Sequence, residues 1–162
     1  MIHSPKCRFC SEPLTHVMCD LGMSPLANSY VKFEHAQNAE KSYPLKVWIC
    51  DKCLLSQLES FESPDAIFSD YLYFSSFSTS WVEHARKYCE MMTERFGFNA
   101  DSQIVEIASN DGYLLKNFIE VGVPVLGIDP ADGPVKAAIA AGVPTRKAFF
   151  GASLARELVA EG

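Results

Sequence analysis

Four of the six cysteines in this 162-residue chain form two C-x-x-C pairs, Cys7-Arg8-Phe9-Cys10 and Cys50-Asp51-Lys52-Cys53. Two intervening residues let a tight turn aim both sulfurs at one point. Two such turns facing each other complete a tetrahedron of thiolates, the donor set of a structural zinc site. A redox pair would instead sit singly at a helix start, whereas these pairs lie in stretches rich in Pro, Ser and Asn. Four thiolates close the coordination sphere, so the metal is expected to hold the fold and do no chemistry. The long gap from Cys10 to Cys50 requires a substructure between the knuckles. Cys19 and Cys89 have no ligand spacing, and Cys89 is expected as a small buried residue of a helix. His3, His16 and His35 also lack ligand spacing.

The second candidate centre is the stretch Val105-Glu106-Ile107-Ala108-Ser109-Asn110-Asp111-Gly112. A strand that ends in small residues and feeds a helix forms the first half of a nucleotide-binding crevice, because ligands of open α/β sheets sit beyond the carboxyl ends of the strands. Ala108 and Ser109 let a ligand approach the backbone, and Gly112 allows positive φ or close helix–strand contact. Asp129 ends the next strand, where a carboxylate can accept hydrogen bonds from both ribose hydroxyls; Pro130 follows it. A dinucleotide site wants G-x-G-x-x-G to seat a pyrophosphate on a helix N-terminus. This loop lacks those glycines and carries Asp111, which repels phosphate. A cationic ligand with an uncharged ribose, such as S-adenosylmethionine, suits it better. The plain alternative is a βα turn with Asn-Asp-Gly as turn formers.

The elements that must position these residues fall into two styles. No strong helix is expected in the first 60 residues, only short strands at Tyr30–Phe33 and Leu45–Ile49. From Ser80 the apolar spacing of Trp81, Ala85, Tyr88, Met92 and Phe96 is helical. Ser80 with Glu83 fits a capping box, and Gly97 closes the helix. Strands are expected at Gln103–Ile107, Val125–Ile128 and Thr145–Ala148, and helices at Tyr113–Glu120, Val135–Ala141 and Ala152–Val159. This alternation implies a parallel sheet. The fold class is therefore a small β-rich zinc-binding module followed by the first half of an α/β Rossmann-like domain that binds S-adenosylmethionine. The expected divisions are 1–68 for the module, 69–100 for a linker and connecting helix, and 101–162 for the partial Rossmann-like domain. The two C-x-x-C pairs are not embedded in similar sequence, so no internal repeat is read.

Composition removes several classes. The net charge is −6 with signs mixed along the chain, not a basic nucleic-acid footprint, so no nucleic-acid partner is expected. No apolar run is long enough to span a bilayer, and MIHSPKCRFC lacks the apolar core of a signal peptide. The expected location is the cytoplasm, where thiols outnumber disulfides. An open sheet edge after the third strand is expected to invite self-association.

Several ordered motifs carry a resemblance: the first C-x-x-C, LGMSPLANSY (Leu21–Tyr30), WICDKC (Trp48–Cys53), YLYFSSFSTSW (Tyr71–Trp81), VEIASNDGYLL (Val105–Leu115) and GIDPA (Gly127–Ala131). Together they resemble the zinc-containing, S-adenosylmethionine-dependent C-methyltransferases that act on nucleotide-linked keto-deoxysugars. The resemblance covers nearly the whole chain. It implies zinc at Cys7, Cys10, Cys50 and Cys53, and S-adenosylmethionine over Glu106, Ala108, Ser109, Asn110, Asp111, Gly112, Asp129 and Pro130. It implies a linker that folds over the methyl donor, with Tyr73 and Ser78 at its methionine end, and a nucleotide-sugar substrate bordered by Leu26, Asn28 and Tyr30. It also implies a longer protein, with the base that enolises the keto-sugar beyond Gly162, so that these 162 residues alone are expected to be inactive. Many methyltransferases carry glycine where this chain has Ala108. The competing whole-protein readings are a non-enzymatic zinc-ribbon interaction module with a degenerate Rossmann half, and a nicotinamide-dependent oxidoreductase, which the missing glycines disfavour. His84 is expected on a helix surface or between domains rather than as a catalytic base.

Overall fold

The computed structural model describes residues 5–69 and 71–162, so His3 lies outside the described residues. The chain divides into two compact units, Met1–Ser63 and Pro64–Gly162.

The first unit is an antiparallel sheet of three strands in the order β1-β2-β3, with β1 at His16–Ser24, β2 at Tyr43–Ile49 and β3 at Ser56–Leu58. Pairing runs from His16↔Ile49 to Ser24↔Tyr43, interrupted by two register shifts. The expected strand at Leu45–Ile49 lies within β2. The expected strand at Tyr30–Phe33 does not form: the chain there is irregular and runs into a 3-10 turn at Phe33–His35. Those apolar side chains find nothing to bury against; Phe33 is 95% exposed. β1 escaped sequence reading for the converse reason. Eight of its nine residues are exposed, so it carries no in–out alternation, and its bulges break whatever period remained. Its order comes from pairing with β2.

The second unit opens with a short helix α1 (Pro64–Phe68) and the long helix α2 (Thr79–Phe96). The apolar spacing read along α2 holds, with Ala85 and Cys89 buried. Gly97 closes it at φ 66°, its N–H returning to the Thr93 carbonyl. The capping box does not form. The N-cap is Ser78, whose Oγ accepts from the Trp81 N–H. Ser80 lies inside the first turn with its hydroxyl against that of Ser78, and Glu83 turns instead to Arg86.

A parallel sheet follows in the order β4-β5-β6: β4 at Ile104–Ile107, β5 at Val125–Asp129 and β6 at Thr145–Lys147. Helix α3 (Leu115–Glu120) links the first two strands, α4 (Asp132–Ala140) the next two, and α5 (Ala152–Glu161) follows. This is the α/β alternation of a partial Rossmann half. α3 begins two residues later than expected because Gly112, at φ 76°, bends the chain first. α4 begins three residues earlier, with Pro134 accommodated in its first turn, where a missing N–H costs nothing. The core joins Cys89 of α2, Leu115 and Phe118 of α3, Val123 and Val125, Ala138 of α4 and Val143. Truncating Leu115 or Phe118 to Ala there would cost about 3–5 kcal/mol.

Candidate metal centre and cofactor crevice

The Sγ atoms of Cys7, Cys10, Cys50 and Cys53 lie within 4.8 Å of one another. Across the two knuckles, Cys7 and Cys53 are 3.6 Å apart and Cys10 and Cys50 3.5 Å. Zn–S bonds of 2.3 Å in a regular tetrahedron place sulfurs about 3.8 Å apart, so the cage has the size of the ion. The backbone of the two knuckles follows one path although their sequences differ. In the first, Cys7 N–H donates to the Glu12 carbonyl and Ser11 N–H to the Cys7 carbonyl; in the second, Cys50 N–H donates to Leu55 and Leu54 N–H to Cys50. Ser11 and Leu54, each just after the second cysteine, both have φ 62°. Crowding splits the thiols. The Cys10 amide and then the Gln57 side chain draw Cys7 down to about 6. Cys53 is pushed up to about 12: the Leu55 amide lowers it, but burial and the three neighbouring sulfurs outweigh that. A dication among the four sulfurs would offset the repulsion between neighbouring thiolates. Cys89 is buried in the second unit with its thiol raised to about 11, chiefly by burial. Cys19 is exposed on β1. Neither joins the cluster.

In the second unit, the loop after β4 has an alternating backbone. Ala108, Asn110 and Gly112 take φ 60°, 49° and 76°. Only Gly112 is a glycine. A Cβ there would meet Val143 Cγ2 at 2.8 Å, so this position serves both the turn and helix–strand packing. Gly127 in the middle of β5 is equally confined, since a Cβ would lie 2.5 Å from Ser109 Oγ. Asp129, 5% exposed, holds the turn: Oδ2 accepts from the Asn110 N–H at 2.9 Å and Oδ1 from the Ala131 N–H at 2.8 Å. One lone pair of each oxygen is thus committed to backbone, which leaves one apiece for any ligand.

Asn110 also ties the segment before α2 to the loop. Its Oδ1 accepts from Ser75 N–H at 2.9 Å and its Nδ2 donates to the Tyr73 carbonyl at 3.0 Å. Asp111 Oδ2 accepts from Ser76 N–H at 3.1 Å. Three buried oxygens in this neighbourhood, Glu106 Oε2, Ser109 Oγ and Asp111 Oδ1, have no hydrogen-bond partner among the described residues. Burial first, then the charges of Asp129 and Asp111, push the Glu106 carboxyl up to about 7.

A cavity of about 410 Å³ opens against this loop. Of the sequence-derived candidates, Ala108, Asn110, Asp129 and Pro130 line it. Glu106, Ser109, Asp111 and Gly112 are not in the lining. Tyr73 and Ser78 are not in the lining: Tyr73 contributes its carbonyl to Asn110, and Ser78 is spent on the helix cap. Their places are taken by Tyr71 and Ser75, with Phe68, Tyr113, Phe149 and Phe150 supplying aromatic walls. Those walls come from the end of α1 and from the loops after β4 and β6, and no single motif announces them. His84 is exposed and stacks on Trp81 with ring centroids 5.3 Å apart. In the first unit, Leu26 and Asn28 lie on a turn closed by Ser29 N–H to the Leu26 carbonyl, and Tyr30 follows it. Asn28 has φ 58° and Tyr30 is largely exposed.

Among the described residues no helix is long and apolar enough to cross a membrane. Residues 7–68 match the family described as "Putative zinc binding domain". The chain is also similar to the C-methyltransferase NovU of Streptomyces niveus, with 33% identity over 153 residues, 94% of this chain and 36% of that protein. It therefore spans just over a third of the length of the curated relative it matches. Residues 7–68 are thus similar to that zinc-binding family, and over nearly all of its length the chain resembles a C-methyltransferase, as its ordered motifs indicated.

Proposed function

We propose that this chain is the zinc-binding and cofactor-binding part of an S-adenosylmethionine-dependent C-methyltransferase acting on a nucleotide-linked keto-deoxysugar. One observation carries the cofactor reading. The loop after β4 takes positive φ at every second residue from Ala108 to Gly112, and it is pinned to the acid that ends the next strand. That path brings Ala108 and Asn110 to the cavity lining, and at Ala108 the Cβ makes the αL conformation costly, by roughly 1–2 kcal/mol, whereas Asn110 and Gly112 tolerate it. A plain βα turn has no need of that strain.

Bound in this cavity, S-adenosylmethionine supplies a methyl group activated by a sulfonium charge. The chain's own residues bind and orient it. Asp129 retains one free lone pair on each oxygen for hydroxyl groups. Glu106, Asp111 and Asp129 make the loop electronegative, which favours a cation and disfavours a pyrophosphate. Tyr71, Tyr113, Phe149 and Phe150 offer flat apolar walls to a heterocycle. Zinc at the four cysteines is structural, since the donor set is closed.

Methylation beside a ketone needs a base within about 3 Å of the proton it removes. The titratable groups of the cavity lining are Asp129, whose remaining lone pairs are assigned to the ligand's hydroxyls, and two tyrosines. Residues 1–162 are accordingly proposed to bind the cofactor without transferring its methyl group. Calorimetric titration with S-adenosylmethionine and, separately, NAD tests the first part; binding of NAD alone, or of neither, would sink it. Turnover of a nucleotide-linked 4-keto-deoxysugar by the purified chain, above that of a Cys-to-Ser control, would overturn the second. Metal analysis should give one zinc per chain.

A further inference from the structure

Gln57 is the central residue of β3, and it alone of the three turns inward, 8% exposed. Its partner across the sheet is Trp48, two residues before Cys50. Register therefore delivers the amide to the knuckles. There both ends of its amide are directed at them. Oε1 accepts from the Arg8 N–H at 3.0 Å, inside the first C-x-x-C turn. Nε2 donates to Cys7 Sγ at 3.3 Å. The same Nε2 lies 3.4 Å from the Leu55 carbonyl, which itself accepts from Cys50 N–H in the second knuckle. One amide thus bridges both turns.

Four thiolates around a dication leave two negative charges in a buried place, and each N–H aimed at a sulfur offsets part of that charge. We infer that Gln57 is a positioning residue of the metal centre: it fixes the first knuckle through Arg8, donates to the Cys7 thiolate, and so governs how tightly zinc is held without ligating it. The inference rests on the reading of the four cysteines as a zinc site. It goes beyond that reading by assigning a residue outside both C-x-x-C pairs to the metal's retention. A glutamine buried only to pair β3 with β2 would leave the metal's properties untouched when replaced by an apolar isostere.

Gln57→Met removes donor and acceptor at nearly constant volume. Gln57→Glu keeps the shape but turns an oxygen toward the sulfur. Each chain is loaded with zinc and competed against a chromogenic chelator, then loaded with cobalt(II) for its sulfur-to-metal charge-transfer band. One metal per chain is expected throughout. Zinc affinity should fall roughly 10–100-fold in Gln57→Met and further in Gln57→Glu, and the cobalt band should move to longer wavelength as Cys7 becomes the better electron donor. A second measurement uses the unaltered chain and does not depend on a variant folding. Loaded with cadmium-113, it should show scalar coupling from the metal through Cys7 Sγ to the Gln57 Nε2–H proton. Affinities within twofold and an unmoved cobalt band, or absence of that coupling, would overturn the assignment while leaving the zinc site standing. Failure of the unaltered chain to take up any of the three metals would remove both.

Discussion

The Asn110 amide N–H donates to Asp129 Oδ2 at 2.9 Å, so the residue that ends β5 sets the conformation of the loop that follows β4. Asp129→Asn keeps the volume but leaves one of its two N–H contacts facing another N–H. Hydrogen bonds to a charged group are worth roughly 1.5–3 kcal/mol each. The variant should lose about that amount in urea denaturation, and S-adenosylmethionine affinity should fall with it, read by calorimetry. An unchanged midpoint would mean that the loop holds itself.

Glu106 makes stability depend on pH. Its carboxyl rises from an ordinary 4.5 to about 7 in the folded chain, so the native state binds the proton more tightly than the unfolded state. Stability should therefore be highest below about pH 4.5, as far as this group is concerned, and fall as pH climbs through the window up to about 7. Asp111 and Asp129 face it with negative charge, and Tyr113 and Cys89 are the other titratable neighbours. Glu106→Gln should flatten that part of the profile and be the more stable chain at pH 8, by on the order of 2 kcal/mol. Parallel urea titrations of both chains from pH 4.5 to 8 read the difference; superimposable profiles would contradict it.

Two small residues of the same loop should respond in opposite directions. Ala108→Gly relieves a positive φ and should raise the thermal midpoint, by the equivalent of up to about 1 kcal/mol. Gly112→Ala imposes both an αL alanine and a Cβ only 2.8 Å from Val143 Cγ2, and should cost about 2–4 kcal/mol. Equal effects at the two sites would show that φ alone decides.

The cap of α2 can be separated from its near neighbour. Ser78→Ala removes the hydroxyl that accepts from Trp81 N–H and should cost about 1 kcal/mol. Ser80→Ala should cost a few tenths at most, because Ala is the better helix former and that hydroxyl caps nothing. A larger loss at Ser80 in thermal unfolding would restore the capping box.

What could be read in advance was local. Spacing within a four-residue C-x-x-C turn carries its own geometry, so all four clustered cysteines were legible before any fold. α2 and β5 showed as periodicity and as an apolar run. The rest depended on partners distant in sequence. β1 has no apolar face of its own, and its place is set by β2. In the run Ser78-Thr79-Ser80 three hydroxyls compete for one cap, and the choice depends on where the preceding segment is tied down, which Asn110 and Asp111 decide. The positive φ of Ala108 has no residue signature, unlike that of Asn110 and Gly112. The aromatic walls at Tyr71, Tyr113, Phe149 and Phe150 converge only once the sheet has formed, which is why Tyr73 and Ser78 drew attention in their stead.

The mirrored knuckles also bear on the order in which the first unit assembles. Cys10 and Cys50 sit at the open end of the β1–β2 ladder, beside His16↔Ile49, whereas Ser24↔Tyr43 close its other end. The loop spanned by that far end is roughly half as long as the one spanned by the knuckles, an entropic advantage of about 0.6 kcal/mol. Pairing should begin there and zip toward the cysteines. On a growing polypeptide the first knuckle waits, half a ligand set, until the second has been synthesised and the ladder has carried it across. Metal capture is then the last event in this unit rather than its nucleus, and its rate should follow strand pairing, not metal concentration, once the ion is in excess.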